Sequence, residues 1–273
     1  MKIEELCKIF EMSRQGYYKS RKAKIKASLD EEIIIDLVKE KRKRMPMIGG
    51  VKLYKLLKSD LTMTGIRIGR DKFFEILRKH RMLIKRKKRY AKTTDSNHRF
   101  KIYKNLIKEK NKEEIKPDEV YVSDITYIRT EENFCYLSLI TDYSSRKIVG
   151  YDLSDSLSIE GSLRAIRMAL KEKGEMPELI HHSDRGIQYC SKQYTELLTK
   201  HKISISMSEK GNPYENAIAE RVNGILKEEF LLSGTFKNKE EAMRAVKESI
   251  KTYNEMRPHM SINYKTPEDK YAA

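Results

Sequence analysis

Three acidic residues in the second half of the chain, Asp124, Asp184 and Glu220, have the settings from which a hard-cation site is built. Asp124 lies inside the β-branched and aromatic run Val120–Ile128 (VYVSDITYI), on one strand face with Val122 and Thr126. A carboxylate in such a setting is disfavoured unless something binds it. Asp184 stands one residue past the run Glu178–His182, at the carboxyl end of what reads as a strand, where open α/β sheets place their sites. Glu220 stands on a helical stripe with Asn216, Asn223 and Lys227, opposite Ile218, Val222, Ile225 and Leu226. Singly, Asp184 also reads as a turn residue and Glu220 as an exposed helix acid. Together, carboxylate oxygens from three elements are what a pair of Mg²⁺ ions requires, with positions left open for water and a phosphate. One ion would serve the attacking oxygen and the other the leaving oxygen of an in-line phosphoryl displacement. The adjacent His181 and His182 read as structural residues rather than ligands, because a hard cation wants oxygens.

The elements that must position these acids form a distinct half of the chain. After residue 118 come three short strands, Val120–Ile128, Phe134–Thr141 and Lys147–Leu153, separated by tight turns as in an antiparallel meander. A helix over Ile159–Lys171, a strand over Glu178–His182, a helix over Ser191–His201, a strand over Ile203–Met207 and a long helix over Asn216–Phe230 follow. The order βββ-α-β-α-β-α predicts an α/β fold, a mixed sheet flanked by helices.

The first half reads all-α and strongly basic. Of the formal charge of +17 on 273 residues, residues 1–116 carry +20 and residues 117–273 carry −3. That asymmetry points to a polyanion, nucleic acid first, with a merely solubilising surface as the alternative. Two short helices, about Glu4–Phe10 and Met12–Lys19 with Ser13 as cap, outline a helix-turn-helix-like segment over 1–28. A basic helical region over 29–90 follows, opened by Asp30 as cap to Glu31–Lys43. It continues through helices around Val51–Leu57 and Arg70–His80 and ends in Lys85, Arg86, Lys87, Lys88 and Arg89. This run suits phosphate contact or a solvated arm. Residues 91–118, polar and lysine-rich, read as a linker containing one short helix, and 236–273 as a helical extension. No apolar run approaches a membrane span, the first ten residues lack a secretory h-region, and three scattered cysteines suggest a reducing cytosol.

Asp184 and Glu220 are separated by 35 residues, and with Asp124 they resemble the DD(35)E signature of the retroviral-integrase and transposase superfamily. The words around them strengthen the likeness: VSDITYI (122–128), HHSDRGIQY (181–189), SMSEKGNPYENAIAE (206–220), LKEE (226–229) and YNEMRPHMSINYKTPEDKY (253–271). In order and over nearly the whole chain, they resemble the second-reading-frame (OrfB) transposases of the insertion-sequence-three family. LCKIFEMSRQGYYK and the helical unit through Arg89 resemble the helix-turn-helix-like region before the catalytic core there. Departures exist: no Trp precedes the first Asp motif, Glu215 stands where many relatives have Asp, and no His/Cys zinc module is present.

The resemblance implies an RNase H-like fold for about residues 119–235, with Asp124, Asp184 and Glu220 coordinating two Mg²⁺ ions that Mn²⁺ replaces. It places Lys227 at a basic position facing a phosphate, and Gln188 and Asn216 at positions that touch DNA or cap turns. Arg14 and Lys85–Arg89 fall in its DNA-binding part, and Arg257-Pro258-His259 in a packing turn within reach of DNA. The activity implied is hydrolysis at an element's terminus to free a 3′-OH, then attack of that hydroxyl on another phosphodiester. Its implied partners are the terminal inverted repeats, target DNA, further copies of the chain and a first-frame product fused to it. The implied location is the cytoplasm, with the nucleoid. A nuclease of the same fold that cuts without joining, and a DNA-binding regulator of transposition, are the competing readings.

Overall fold

Separate hydrophobic packing in each half of the sequence organises the computed structural model of the chain. The structure describes residues 3–85, 100–171, 176, 178–209 and 216–273. Arg86, Lys87, Lys88 and Arg89 therefore lie outside the described residues. Contacts divide the chain into one unit of Met1–Lys43 and Ile48–Lys85 and a second of Arg44–Met47 and Arg86–Ala273.

In the first unit, α1 (Ile3–Ile9) precedes α2 (Arg14–Arg44), α3 (Gly50–Met63) and α4 (Arg70–Lys79). Ser13 starts α2 as expected, its Oγ accepting from the Gly16 N–H at 3.0 Å. The expected break near residue 28 is absent. No Pro or Gly occurs between Tyr17 and Met45 and the stretch is rich in Lys, Arg and Ala, so one 31-residue helix runs through Asp30. The segment is thus a short helix followed by a long one, not two short helices. Ile34, Ile35 and Val38 of α2 are buried with Leu53, Leu57 and Leu61 of α3 and Phe73, Ile76 and Leu77 of α4. The helical turn joining α3 to α4 reverses at Gly65, whose φ of +73° suits a residue without a Cβ.

The second unit is built on a sheet in the order β3-β2-β1-β4-β5, from β1 (Val120–Thr130), β2 (Phe134–Asp142), β3 (Ile148–Ser154), β4 (Ile180–Ser183) and β5 (Ser204–Met207). The meander β1–β2–β3 is antiparallel, while β4 and β5 run parallel to β1. Helix α5 (Ile159–Leu170) leads to β4, the short α6 (Ile187–Cys190) and α7 (Lys192–Lys200) lead to β5, and α8 (Ala217–Glu229) follows. This is the α/β order expected and the arrangement implied by the RNase H-like reading. One sheet face packs Tyr121 and Ile140 against Leu163, Ile166 and Ala169 of α5 and Tyr194 and Leu198 of α7. The close fit of α5 needs Gly150 on β3, because any Cβ there would overlap the Ala165 carbonyl oxygen. The other face packs Val120, Val122 and Ile180 against Ala219 of α8.

Two segments differ from expectation. Residues 100–118 hold no helix, and they are packed rather than free: Ile107 and Ile115 are buried beside Val120 and Val122. The Leu106 N–H also donates to Ser206 Oγ at 2.9 Å. The region 236–273 is helical as expected, but the chain after α8 is joined to the sheet rather than appended to it. It begins with β6 (Thr235–Phe236), which pairs in parallel with Arg129 and Thr130 of β1. Then α9 (Lys239–Met256) packs on the sheet and α10 (Pro267–Tyr271) follows, Tyr271 donating to Asp118 Oδ1 at 2.6 Å. From α9 the Asn254 amide grips the edge strand β3. Its Oδ1 accepts from the Ile148 N–H and its Nδ2 donates to the Ile148 carbonyl, both at 2.9 Å.

Candidate active site

Register brings the first two acids side by side. Parallel pairing of β1 with β4 sets Ser123 opposite Ser183, so Asp124 and Asp184 are the next residues along neighbouring strands. Strands in a ladder lie about 4.8 Å apart. Asp124 sits at the middle of β1, where Ser123 before it is fully buried and the chain after it begins to open to solvent. Asp184 is just past the end of β4, its Oδ1 accepting from the Gly186 N–H at 2.9 Å. That bond turns the chain sharply into α6.

The third acid comes from α8, and two asparagines fix how that helix meets the sheet. Asn216, capping α8, donates from Nδ2 to the Ser123 carbonyl at 3.0 Å. Asn223 donates from Nδ2 to Asp124 Oδ2 at 2.8 Å. Both are buried. Glu220, four residues after one and three before the other, lies on the same side of the helix, with its side chain exposed. The polar stripe seen in the sequence therefore faces β1, held there by hydrogen bonds to backbone and carboxylate.

The three carboxyl groups feel one another. Burial and then the charge of Asp184 push Asp124 up to about 7, with a smaller contribution from Glu220; the Asn223 and Ile125 hydrogen bonds pull the other way. Glu220 is raised by burial and by Asp184. Mutual repulsion of this kind marks a place where positive charge stabilises the ionised set. Among the described residues, no three His, Cys, Asp or Glu side chains close into a ready metal cage. The donor set nonetheless suits a hard divalent cation: oxygens alone, with both nearby histidines engaged elsewhere. His181 Nε2 lies 2.6 Å from Ser123 Oγ and 2.9 Å from the Tyr194 hydroxyl, and burial pushes it down to about 3. His182 Nδ1 lies 2.8 Å from Ser206 Oγ. Both are core residues, as the sequence suggested.

The remaining sequence candidates are spread more widely. Lys227, two turns along α8 from Glu220, sets its Nζ 3.7 Å from the ring centroid of Tyr127. That ring stands edge-on to Phe134 at 5.4 Å, and both aromatics are exposed. Gln188 donates to the Leu157 carbonyl at 2.8 Å, the turn-holding role of its two alternatives. Arg14 pairs with Glu4 at 2.7 Å in the first unit, and Lys85 is exposed at the end of that unit. Arg257 is buried: its Nε and Nη2 each donate at 2.9 Å to Glu229 at the end of α8, which makes its turn a packing element and keeps its guanidinium from DNA.

Sequence reasoning passed over Asn223 and Tyr127 as functional residues. The signal for Asn223 was its spacing of three from a site acid on an apolar helix. Tyr127, three residues beyond Asp124, offered only an aromatic at an exposed strand position.

The chain is similar to several known proteins. Two integrase core domain models match the chain, over residues 114–213 and 201–267. The chain is 32% identical over 96% of its length to a 31 kDa protein of the insertion element IS600 of Shigella sonnei, covering 96% of that protein. It is 26% identical over 97% of its length to the InsF transposase of IS3A of Escherichia coli K12, covering 92% of it. It is 37% identical over 56% of its length to the transposase of IS904 of Lactococcus lactis, covering 61% of it. Among solved structures, the HTLV-2 integrase catalytic core in complex with magnesium is similar with a TM-score of 0.46 at 17% identity, over 57% of this chain and 98% of that one.

Proposed function

The chain belongs to the insertion-sequence transposases that carry an integrase core domain, and on that premise we propose that Asp124, Asp184 and Glu220 are the acids at which its DNA chemistry takes place. The reaction of the family is DNA transposition, a polynucleotidyl transfer dependent on a divalent metal. The observation that carries the assignment is the register of β1 with β4, which sets Asp124 beside Asp184 while Asn223 ties α8, and with it Glu220, to Asp124.

These three residues would hold two Mg²⁺ ions, with Mn²⁺ as a substitute. When bound, the metal supplies Lewis-acid polarisation of the phosphodiester and neutralises charge as the bond changes. The protein's own residues do the rest. Unneutralised, three carboxylates repel a phosphodiester, so the pocket admits the DNA backbone only in its cation-loaded form. Asn223 restrains Asp124 by holding Oδ2, and Asn216 anchors the start of α8 so that Glu220 keeps its place. Lys227 meets a phosphate flanking the reacting one, its ammonium held over the ring of Tyr127 until the DNA arrives. Lys85 and the basic run after it contact phosphates farther along the duplex. Water first hydrolyses a phosphodiester at the element's end and frees a 3′-OH. That hydroxyl then displaces the 3′-oxygen of a second phosphodiester, exchanging one ester for another without an energy cofactor.

The family resemblance alone extends the reading to a homo-oligomer on the DNA ends, a form fused to a first-frame product, and a site of action at the nucleoid in the cytoplasm. No helix among the described residues is long and apolar enough to cross a membrane.

Glu220→Gln tests the site. With a pre-cleaved element end and Mn²⁺, the wild type gives a joined product. The variant loses cleavage and joining and still retards the DNA on a gel. Unchanged cleavage removes Glu220 from the site, and cleavage by the wild type without joining identifies a nuclease instead.

A further inference from the structure

Three buried tyrosines of the second unit spend their hydroxyls on fixed partners. Tyr121 donates to Asp118, the Tyr194 hydroxyl lies 2.9 Å from His181 Nε2, and Tyr253 donates to the Arg146 carbonyl at 2.9 Å. Tyr189 differs. It is 3% exposed, and among the described residues its hydroxyl has no hydrogen-bonding partner. The ring itself is well packed, 5.4 Å from that of Tyr194 at an interplanar angle of 76° and 6.0 Å from that of His181. Phenylalanine would supply all of that packing. A buried donor without an acceptor costs stability, so the hydroxyl calls for another reason.

The tight turn after β4 supplies one. It runs from Asp184 through Gly186 into α6, with the Gly186 N–H donating to Asp184 Oδ1 at 2.9 Å and the Tyr189 N–H to the Gly186 carbonyl at 3.0 Å. A Cβ on Gly186 would sit 3.0 Å from Asp184 Oδ1 and 3.6 Å from Cδ2 of the Tyr189 ring. Carboxylate and ring therefore flank the same spot. The site acids are also felt at the hydroxyl. Burial first, then Tyr194, then the charges of Asp124 and Asp184 push it well above its ordinary value, so it stays a proton donor throughout the neutral range.

We propose that Tyr189 is a positioning residue for the acid pair, its hydroxyl donating to the Asp184 carboxylate in the cation-loaded site. The two oxygens of a carboxylate offer about four acceptor positions, enough for Gly186, an ion and a phenol. A donor behind a metal-binding carboxylate fixes its orientation, and Asn223 of α8 already does so for Asp124. Tyr189 of α6 would do the same for Asp184. The inference rests on Asp124 and Asp184 being the acids that hold the cation, and adds the group that aims the second of them.

The test follows melting temperature against Mn²⁺ concentration for the full-length wild type, Tyr189→Phe and Tyr194→Phe. Without metal, Tyr189→Phe sheds an unsatisfied hydroxyl and melts about 3 °C higher, whereas Tyr194→Phe loses a bond already made and melts lower. With metal the order changes. Tyr189→Phe needs about ten-fold more Mn²⁺ to reach half of its full shift, the scale of loss expected when a group behind a metal ligand is removed. Tyr194→Phe keeps the wild-type midpoint. A purely structural tyrosine would move the metal-free melt and leave the Mn²⁺ midpoint alone, and that result overturns the inference. So does a lower metal-free melt for Tyr189→Phe, which would show the hydroxyl already satisfied in the core. Equal changes of midpoint in both variants make the effect one of packing and overturn it too. Asp184→Asn separates this inference from the reading beneath it. If that change abolishes the Mn²⁺ shift while Tyr189→Phe leaves the midpoint unaltered, the acids stand and the inference falls. If Asp184→Asn responds to Mn²⁺ like the wild type, the reading of the acids falls with it.

Discussion

Arg257 and Glu229 meet as a two-point ion pair in the protein interior, each of two guanidinium nitrogens 2.9 Å from a different carboxylate oxygen. Their side chains are 2% and 14% exposed. The pair joins two of the sequence's most distinctive words, LKEE and RPH, and ties the end of α8 to the turn after α9. Removing one partner of such a pair strands a buried charge, at a cost of about 3–5 kcal/mol. Arg257→Ala should therefore lower stability to urea by that amount. Arg257→Lys should recover only part, because an ammonium cannot match the paired oxygens. Combining Arg257→Ala with Glu229→Gln should restore more stability than either single change predicts. A cycle with no coupling would show that the pair does not hold α8.

A second prediction concerns pH. Asp124 titrates near 7 in the fold against an ordinary value of 3.8, so between those values the native state binds more protons than the unfolded chain. Stability of the metal-free protein should fall as pH rises from about 4 to 7 through this group, and Asp124→Asn should remove that part of the slope. Three pH units correspond to about 4 kcal/mol, and partial exposure of the carboxylate reduces this to about 2 kcal/mol gained by the variant at pH 7. Thermal melts without metal check the gain. Adding Mn²⁺ should then raise the melting temperature of the wild type but not of the variant.

Lys227 gives a third. With the ring of Tyr127 beneath its ammonium, the lysine is partly placed before DNA arrives. Tyr127→Phe keeps a ring face and should behave as wild type. Tyr127→Leu should raise the DNA concentration needed for half-maximal joining about five-fold with little change in the maximal rate, in keeping with about 1 kcal/mol for a cation–π contact. Loss in the maximal rate alone would mean that the ring serves Asp124 or the sheet instead.

Much of this architecture was legible because its signals are local. The meander announced itself by β-branched runs and short turns, and the acids by strand positions and a helical stripe. What stayed hidden depended on contacts distant in sequence. Asp30 resembles a cap, but a helix already under way from Ser13 has no reason to stop where no breaker stands. Residues 100–118 look like a linker because their composition is polar, yet two isoleucines, Ile107 and Ile115, are enough to seat them on the sheet. Asn216 and Asn223 look like surface polar residues until β1 supplies a carbonyl and a carboxylate to receive them. The inward turn of Arg257 required knowing that Glu229 waited for it. For the site, the acids were visible one by one, while their adjacency lay in strand pairing that no single segment records.

The grip of Asn254 on Ile148 has a bearing on how the molecule behaves in a crowd. β3 forms one margin of the sheet, and an open margin invites a stranger's backbone to add itself and keep growing. There a lone amide imitates the missing neighbour, offering donor and acceptor where another polypeptide would otherwise dock. With that margin covered, copies of the chain are hindered from zipping together edge to edge by mistake.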